Sequence, residues 1–232
     1  MSADTPKGFV YLRDIDPSIQ QDMRYAGPNN FTAEPVPGYD APECLLVRDA
    51  AEALKAAQAD LKPRGLSLKV YDCYRPTTAV AAFVDWSKEP DNPDAKLEHY
   101  PALPKSALFP EYIATRSGHS RGATLDVTIV PLGSTSTVSD GEDGIACTSA
   151  QPSDNSLDLG TGFDCFDPKA NTDAPGLTPE QERNRMLLLN VMSRHGFKNY
   201  PKEIWHYTFE PEPYPDIYFD FPILPRPTND TP

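Results

Sequence analysis

SGHSRGATLDVTIV, residues 117–130, begins as a polar loop and ends as a strand. From Ala123 onward apolar residues fall at every second place. Ala123, Leu125, Val127 and Ile129 share one face and Thr124, Asp126 and Thr128 the other, the period-two pattern of a β-strand. Gly122 stands where loop becomes strand, and a glycine there lets the backbone turn sharply. His119, at the end of the loop, is thereby carried over the polar face that holds Asp126. An imidazole nitrogen and a carboxylate oxygen are both ordinary zinc ligands, but a catalytic site needs a third protein ligand and an open position. A His and an Asp beside a turn are also common as simple hydrogen-bonded groups, so the pair alone leaves both readings open.

A third ligand is available near the C-terminus. In EIWHYTF, residues 203–209, Trp205, Tyr207 and Phe209 share one face of a short strand, which puts His206 and Thr208 on the other. Glu203 precedes His206 by three positions. In an unbroken strand such residues face opposite sides, so both reach one site only if the chain bends around Lys202 to Ile204, and Pro201 favours that bend. HExxH is absent, which excludes a helical zincin site.

The neighbouring segments place these stretches in a fold. LSLKVYDC, 66–73, alternates Leu66, Leu68 and Val70 against Ser67 and Lys69, as a half-buried strand does. YRPTTAVAAFVDW follows, with Thr77 or Thr78 as the cap of a helix running to about Lys88, so Tyr74, Arg75 and Pro76 lie at a strand-to-helix junction. DAAEALKAAQADLK, 49–62, sets Ala50, Leu54, Ala57 and Leu61 on one helical face behind Asp49 as cap. In TPEQERNRMLLLNVMSRHGF, Thr178 is the N-cap, Pro179 the first helical residue, Gln181 the partner in a capping box and Gly196 the stop. Residues 131–162, rich in Gly, Ser, Thr and Asp, read as a long irregular insertion, and 210–232 as a Pro-rich tail. The pattern predicts one α+β domain over 1–232, with a mostly antiparallel central sheet flanked by helices and the candidate metal residues on that sheet.

Composition narrows the function. A formal net charge of -13 with no basic patch speaks against nucleic acid. Apolar content of 39% with 24% charged residues is that of an ordinary globular chain, and 26 prolines predict many loops. No apolar run reaches the roughly 18 residues of a membrane span. The opening MSADTPKGF carries neither a basic nor an apolar signal region, so either there was no signal peptide or Met1 stands in for a removed one. Cys44, Cys73, Cys147 and Cys165 contain no CxxC pair, which excludes zinc-ribbon and thioredoxin readings; an even set permits two disulfides or four reduced thiols.

The combination of motifs is more specific than any one of them. SGHSRGATLD resembles the SxHxxGxAxD signature of the zinc D-Ala-D-Ala peptidases, with Thr124 in place of a small residue, and EIWH resembles their ExxH element. More closely, the chain is similar to the D-alanyl-D-alanine dipeptidases of vancomycin resistance. The likeness runs from about Phe9 to Pro222, through RYAGPNNFT, YDCYRP, SGHSRGATLD, GFDCFD, EIWHYTF and YPDIYFDFP in the family's order. The resemblance implies that His119, Asp126 and His206 bind Zn2+ and that Glu203 is the catalytic base. It implies that Arg75 steadies the oxyanion, that Tyr25 and Asp164 hold the amino end of a free dipeptide, and that Ser117 lies near its carboxylate. Two other activities share the metal signature: a D-Ala carboxypeptidase acting on peptidoglycan stems, and a catalytically silent binding module. The second has no chemical need of Glu203 or Arg75. Cys165 stands where the family usually has an apolar residue, and 131–162 exceeds the hairpin expected there. A bond from Cys147 to Cys165 would tether that insertion beside Asp164, and Cys44 would pair with Cys73. Such pairing implies a periplasmic or secreted protein, and four reduced thiols a cytoplasmic one.

Overall fold

The strand that the alternation predicts is β5 (Thr124–Pro131), and it lies at the centre of the molecule. The computed structural model describes residues 5–135, 147–148 and 154–227. In chain order the other elements are β1 (Phe9–Tyr11), α1 (Leu12–Ile15), β2 (Gln20–Gln21), β3 (Leu45–Val47), α2 (Arg48–Leu61), β4 (Leu66–Asp72), α3 (Thr77–Trp86), α4 (Pro93–His99), α5 (Pro179–Arg194), β6 (Phe197–Asn199) and β7 (His206–Phe209). Five strands form one sheet in the order β2-β4-β5-β7-β6. All its pairs are antiparallel except β2 with β4. β1 and β3 form a second, two-stranded antiparallel sheet. The α+β architecture is as expected.

β5 is buried on both faces from Thr124 to Val130, so neither face of this strand is open to water. Leu125, Val127 and Ile129 face the core, and Thr124, Asp126 and Thr128 are buried too. The half-buried reading of residues 66–73 needs the same correction. Ser67 and Lys69 of β4 are both buried, Lys69 at 1% exposure. A Lys is buried so completely only with a partner, and the returning insertion supplies one: Lys69 Nζ donates to the Asp154 carboxylate at 2.8 Å and to Asn155 Oδ1 at 3.1 Å. Arg24 and Tyr71 donate to the same carboxylate.

Helix ends show where local rules held. α5 begins with the predicted capping box: Thr178 Oγ1 accepts from Gln181 N at 3.2 Å and Gln181 Oε1 from Thr178 N at 3.0 Å. Gly196, at φ +85°, follows its end. α2 starts at Arg48, one residue before the expected cap, so Asp49 lies in the first turn and Val47 is the uncapped boundary. α3 ends at Trp86, short of Lys88, and neither Thr77 nor Thr78 caps it. Pro76 holds the boundary position and has no side-chain acceptor. The cap comes from the far end of the chain: Asp220 accepts from Thr78 N at 2.7 Å and Thr78 Oγ1 at 2.9 Å, and Phe219 O from Thr77 N at 3.1 Å.

Of the insertion, 136–146 and 149–153 lie outside the described residues. Among its described residues after Pro131 there is no helix or strand. Two disulfides, Cys44–Cys73 and Cys147–Cys165, use all four cysteines. The tail crosses the two-stranded sheet, where Phe219 and Phe221 pack edge-on against Phe9 and Phe221 stacks on Tyr74 at 4.2 Å.

Candidate active site

Strand register builds the site. Asp126 of β5 is the direct cross-strand partner of His206 on β7 and of Asp72 on β4, so three polar residues stand in one row across the middle of the sheet. His119 is added from the loop. Residues Gly118–Arg121 make one 3-10 turn, started by Ser117, whose Oγ accepts from His119 N at 3.3 Å, and closed by Gly122 in the left-handed region at φ +79°. A Cβ at residue 122 would lie 2.3 Å from Phe9 Cε1, so the turn needs glycine for both shape and room.

The three candidate ligands converge. His119 Nε2 lies 3.3 Å from His206 Nδ1 and 3.5 Å from Asp126 Oδ2, and His206 Nδ1 lies 3.2 Å from Asp126 Oδ1. Their ligand atoms fall within 4.8 Å of one another. His119 Nδ1 donates to the Cys73 carbonyl at 2.8 Å, which leaves Nε2 to present its lone pair inward. Asp126 Oδ1 is buried without a hydrogen bond. The unbonded carboxylate oxygen of Asp126 and the inward lone pair of His119 converge beside the His206 ring, an arrangement that fits a cation. Two imidazoles and one carboxylate are a donor set suited to zinc.

Glu203 joins them through the expected bend. Glu203 N donates to Tyr200 O at 3.0 Å and His206 N to Glu203 O at 3.2 Å, two successive turns around Pro201 and Lys202 that replace a continuous strand. Its Oε2 comes within 3.3 Å of His206 Nδ1. Burial opposes charge on His206, but Asp126 and Glu203 outweigh it and push the imidazole up to about 9. The same burial raises Asp164 well above the usual carboxylate range, and Asp126 and Glu203 raise it further, against the donor Tyr25 and the charge of Arg75. A substrate ammonium would relieve that crowding of negative charge.

All the predicted site residues line one cavity of about 250 Å³: Tyr25, Arg75, Ser117, His119, Asp126, Asp164, Glu203 and His206. That volume lies below the roughly 300–1,000 Å³ of drug-sized pockets, so the occupant is small. Tyr25 Oη donates to Asp164 Oδ2 at 2.6 Å. Arg75 Nε and Nη2 donate to Asp72 at 2.9 and 2.8 Å, its guanidinium lies over the rings of Tyr25 and Phe83, and Nη1 is the arm that Asp72 does not engage. Phe31, Phe83 and Phe166 complete an apolar wall.

Several members escaped the sequence reading. Asp72, in the middle of YDCYRP, orients both Arg75 and His119, whose Nδ1 lies 3.3 Å away, and is itself held by Tyr39 Oη at 2.7 Å. Strict alternation would set it with Leu66, Leu68 and Val70; the register shift between Val70 and Asp72 brings it opposite Asp126 instead. Tyr200 and Lys202 reach Glu111 across the cavity mouth, at 2.8 Å to its carbonyl and 3.2 Å to its carboxylate. No local pattern marks a contact between two loops that far apart in sequence.

Comparison with known proteins shows the family of the chain. The D-ala-D-ala dipeptidase family (Peptidase_M15) matches residues 5–146 and 136–224. A D-alanyl-D-alanine dipeptidase of Streptomyces coelicolor is 37% identical over 216 residues, 93% of this chain and 98% of that protein. One from Enterococcus faecium is 32% identical over 217 residues, again 93% and 98% of the two chains, and one from Escherichia coli is 30% identical over 202 residues, 86% and 83%. Among solved structures, a vancomycin resistance D,D-dipeptidase, VanXYg, in complex with a D-Ala-D-Ala phosphinate analogue superposes loosely: TM-score 0.36 and 14% identity, covering 88% of this chain and 67% of that one. From its first strand to its tail, the chain belongs to the D-ala-D-ala dipeptidase family.

Proposed function

We propose that the protein is a zinc-dependent peptidase that hydrolyses the free dipeptide D-Ala-D-Ala. The observation that carries this reading is that a His–Asp–His trio whose ligand atoms converge, the Glu203 carboxylate and the acidic group of Asp164 all line one small cavity. His119, Asp126 and His206 would hold zinc, which when bound would supply Lewis acidity towards the scissile carbonyl and the attacking water. Glu203 takes the proton of the attacking water and passes it to the leaving amine. Arg75, held in place by Asp72, meets the negative charge that develops on the carbonyl oxygen.

The remaining residues set the substrate's length. Asp164 and Tyr25 receive the ammonium, and Ser117 stands towards the carboxylate with its hydroxyl proton available as a donor. An acylated amino group would leave the buried Asp164 charge without its partner, which disfavours longer stem peptides. The two disulfides support a place outside the cytoplasm, in the periplasm or beyond the cell. Incubating zinc-loaded protein with D-Ala-D-Ala and with its N-acetyl derivative tests the reading. Selective cleavage of the free dipeptide is expected. Equal or better cleavage of the acylated form replaces it with a carboxypeptidase, and binding of either without hydrolysis replaces it with a silent module.

A further inference from the structure

Of the four histidines in the chain, two line the cavity and His195 pairs with Asp60 at the surface. His99 does neither. It is the last residue of α4, it is buried, and it is absent from the cavity lining. Outside α4, two hydrogen bonds tie it to one short stretch. Nδ1 lies 3.3 Å from the carbonyl oxygen of Asp164, and its own carbonyl accepts from Phe166 N at 2.7 Å. A carbonyl offers only lone pairs, so Nδ1 is the nitrogen that carries the proton. Burial lowers the imidazole to about 4, so the ring is neutral and has this single N–H to give.

The stretch it grips is unusual. Asp164 has φ +54°, in the left-handed region that few residues with a side chain occupy, Asp and Asn more readily than most. On either side the chain turns inward: Phe163 stacks on Tyr71 at 4.5 Å, Cys165 is bonded to Cys147, and Phe166 packs on Phe31 at 5.2 Å. Of these residues Asp164 and Phe166 line the cavity, and Asp164 is the one that brings a charged group to it, from the left-handed turn.

We propose that His99 is a positioning residue for substrate recognition: bonded to residue 164 through its ring and to residue 166 through its carbonyl, it fixes the turn that aims the Asp164 carboxylate at the substrate ammonium. This rests on the assignment of Asp164 made above. His99 touches neither the substrate nor the metal residues, so its loss is felt in binding and not in the chemical step.

Steady-state kinetics of the zinc-loaded protein on D-Ala-D-Ala test it, with His99→Ala, His99→Asn, Asp164→Ala and the double variant His99→Ala/Asp164→Ala. His99→Ala is expected to raise KM by about tenfold or more, equivalent to at least ~1.4 kcal/mol, with kcat within about twofold. His99→Asn, whose amide nitrogen can take the place of Nδ1, is expected to restore most of KM. In the Asp164→Ala background His99→Ala is expected to raise KM no further. A raised KM in Asp164→Ala with an unchanged KM in His99→Ala overturns the role of His99 and leaves that of Asp164 standing. An unchanged KM in Asp164→Ala overturns the assignment of Asp164 itself. Additive effects in the double variant show that His99 acts elsewhere and overturn the proposal. Should His99→Ala not fold, His99→Asn decides: KM near that of the native protein is expected, and KM equal to that of Asp164→Ala overturns it.

Discussion

Replacing Asp154 by alanine should destabilise the protein more than any exposed carboxylate does, because it strands a buried ammonium. Asp154 accepts from Lys69 Nζ at 2.8 Å and Arg24 Nη2 at 3.1 Å. Without its carboxylate Arg24 retains Asp22 at 2.9 Å. Among the described residues Lys69, at 1% exposure, keeps Asn155 Oδ1, the residue-154 carbonyl, the face of the Tyr71 ring at 5.0 Å and a carboxylate 4.0 Å away on Asp22. Removing one partner of a buried ion pair costs about 3–5 kcal/mol, and the remaining oxygens put this case near ~3. For a chain of this size that is a fall in Tm of about 6–12 °C. The effect depends on pH. Burial opposes ionisation of Asp154, but Lys69 and Arg24 outweigh it and hold the carboxyl well below its usual range. A carboxylate depressed in the folded state stabilises fully above the unfolded pKa of about 4 and loses that contribution as pH falls towards the folded value. Thermal unfolding at pH 7 and at pH 3 should therefore show a wide gap between native and variant that narrows in acid. The companion Lys69→Met/Asp154→Ala removes both charges and should recover most of the loss. If Asp154→Ala falls by under 2 °C, or the double variant is no better than the single, the stranded-charge account is wrong.

Glu203→Ala should retain stoichiometric zinc by elemental analysis while turnover falls by about 10²–10⁴, whereas His119→Ala, Asp126→Ala and His206→Ala should lose the metal as well; loss of zinc from Glu203→Ala would show the ExxH element misassigned. Gly122→Ala places a methyl against Phe9 at a positive φ and should destabilise by more than ~1 kcal/mol and weaken zinc retention; unaltered unfolding would mean that the turn relaxes freely. Thiol titration of denatured, non-reduced protein should find no free thiols. Cys165→Ser should cost roughly 3 kcal/mol for a closed loop of 18 residues, and four titratable thiols would return the protein to a reducing compartment.

Periodicity made β5, β7, α2 and α5 legible, because each buries a face whose spacing is written in its own residues. The trio at His119, Asp126 and His206 was legible as candidates, and the bend that brings in Glu203 could be stated as a condition on Pro201. What escaped depends on distant chain. Lys69 reads as the solvent side of a half-buried strand until Asp154, 85 residues on, covers it. Thr77 and Thr78 read as caps, but the acceptor is Asp220, 142 residues from Thr78. Capping rules describe what a residue can do for its own helix and are silent when another segment does it first.

That cap sets where the chain can be cut or joined. The tail after Glu210 is held at several points: Arg121 clasps Glu212 with two bonds of 2.6 Å, Asp220 caps α3 beside Arg75, and Ile223 bridges to Tyr39. A deletion that stops before Ile223 strips the anchor from Tyr39, and one that stops before Asp220 also frees the helix start next to the oxyanion arginine. Beyond Ile223, among the described residues, Leu224 still accepts at its carbonyl from the buried Tyr11 hydroxyl at 3.2 Å, whereas the ion pair of Arg226 with Asp14 is exposed and worth little. A purification tag or fusion partner therefore belongs after Arg226, and a C-terminal trimming series should keep full activity down to Leu224 and lose it within the next few residues.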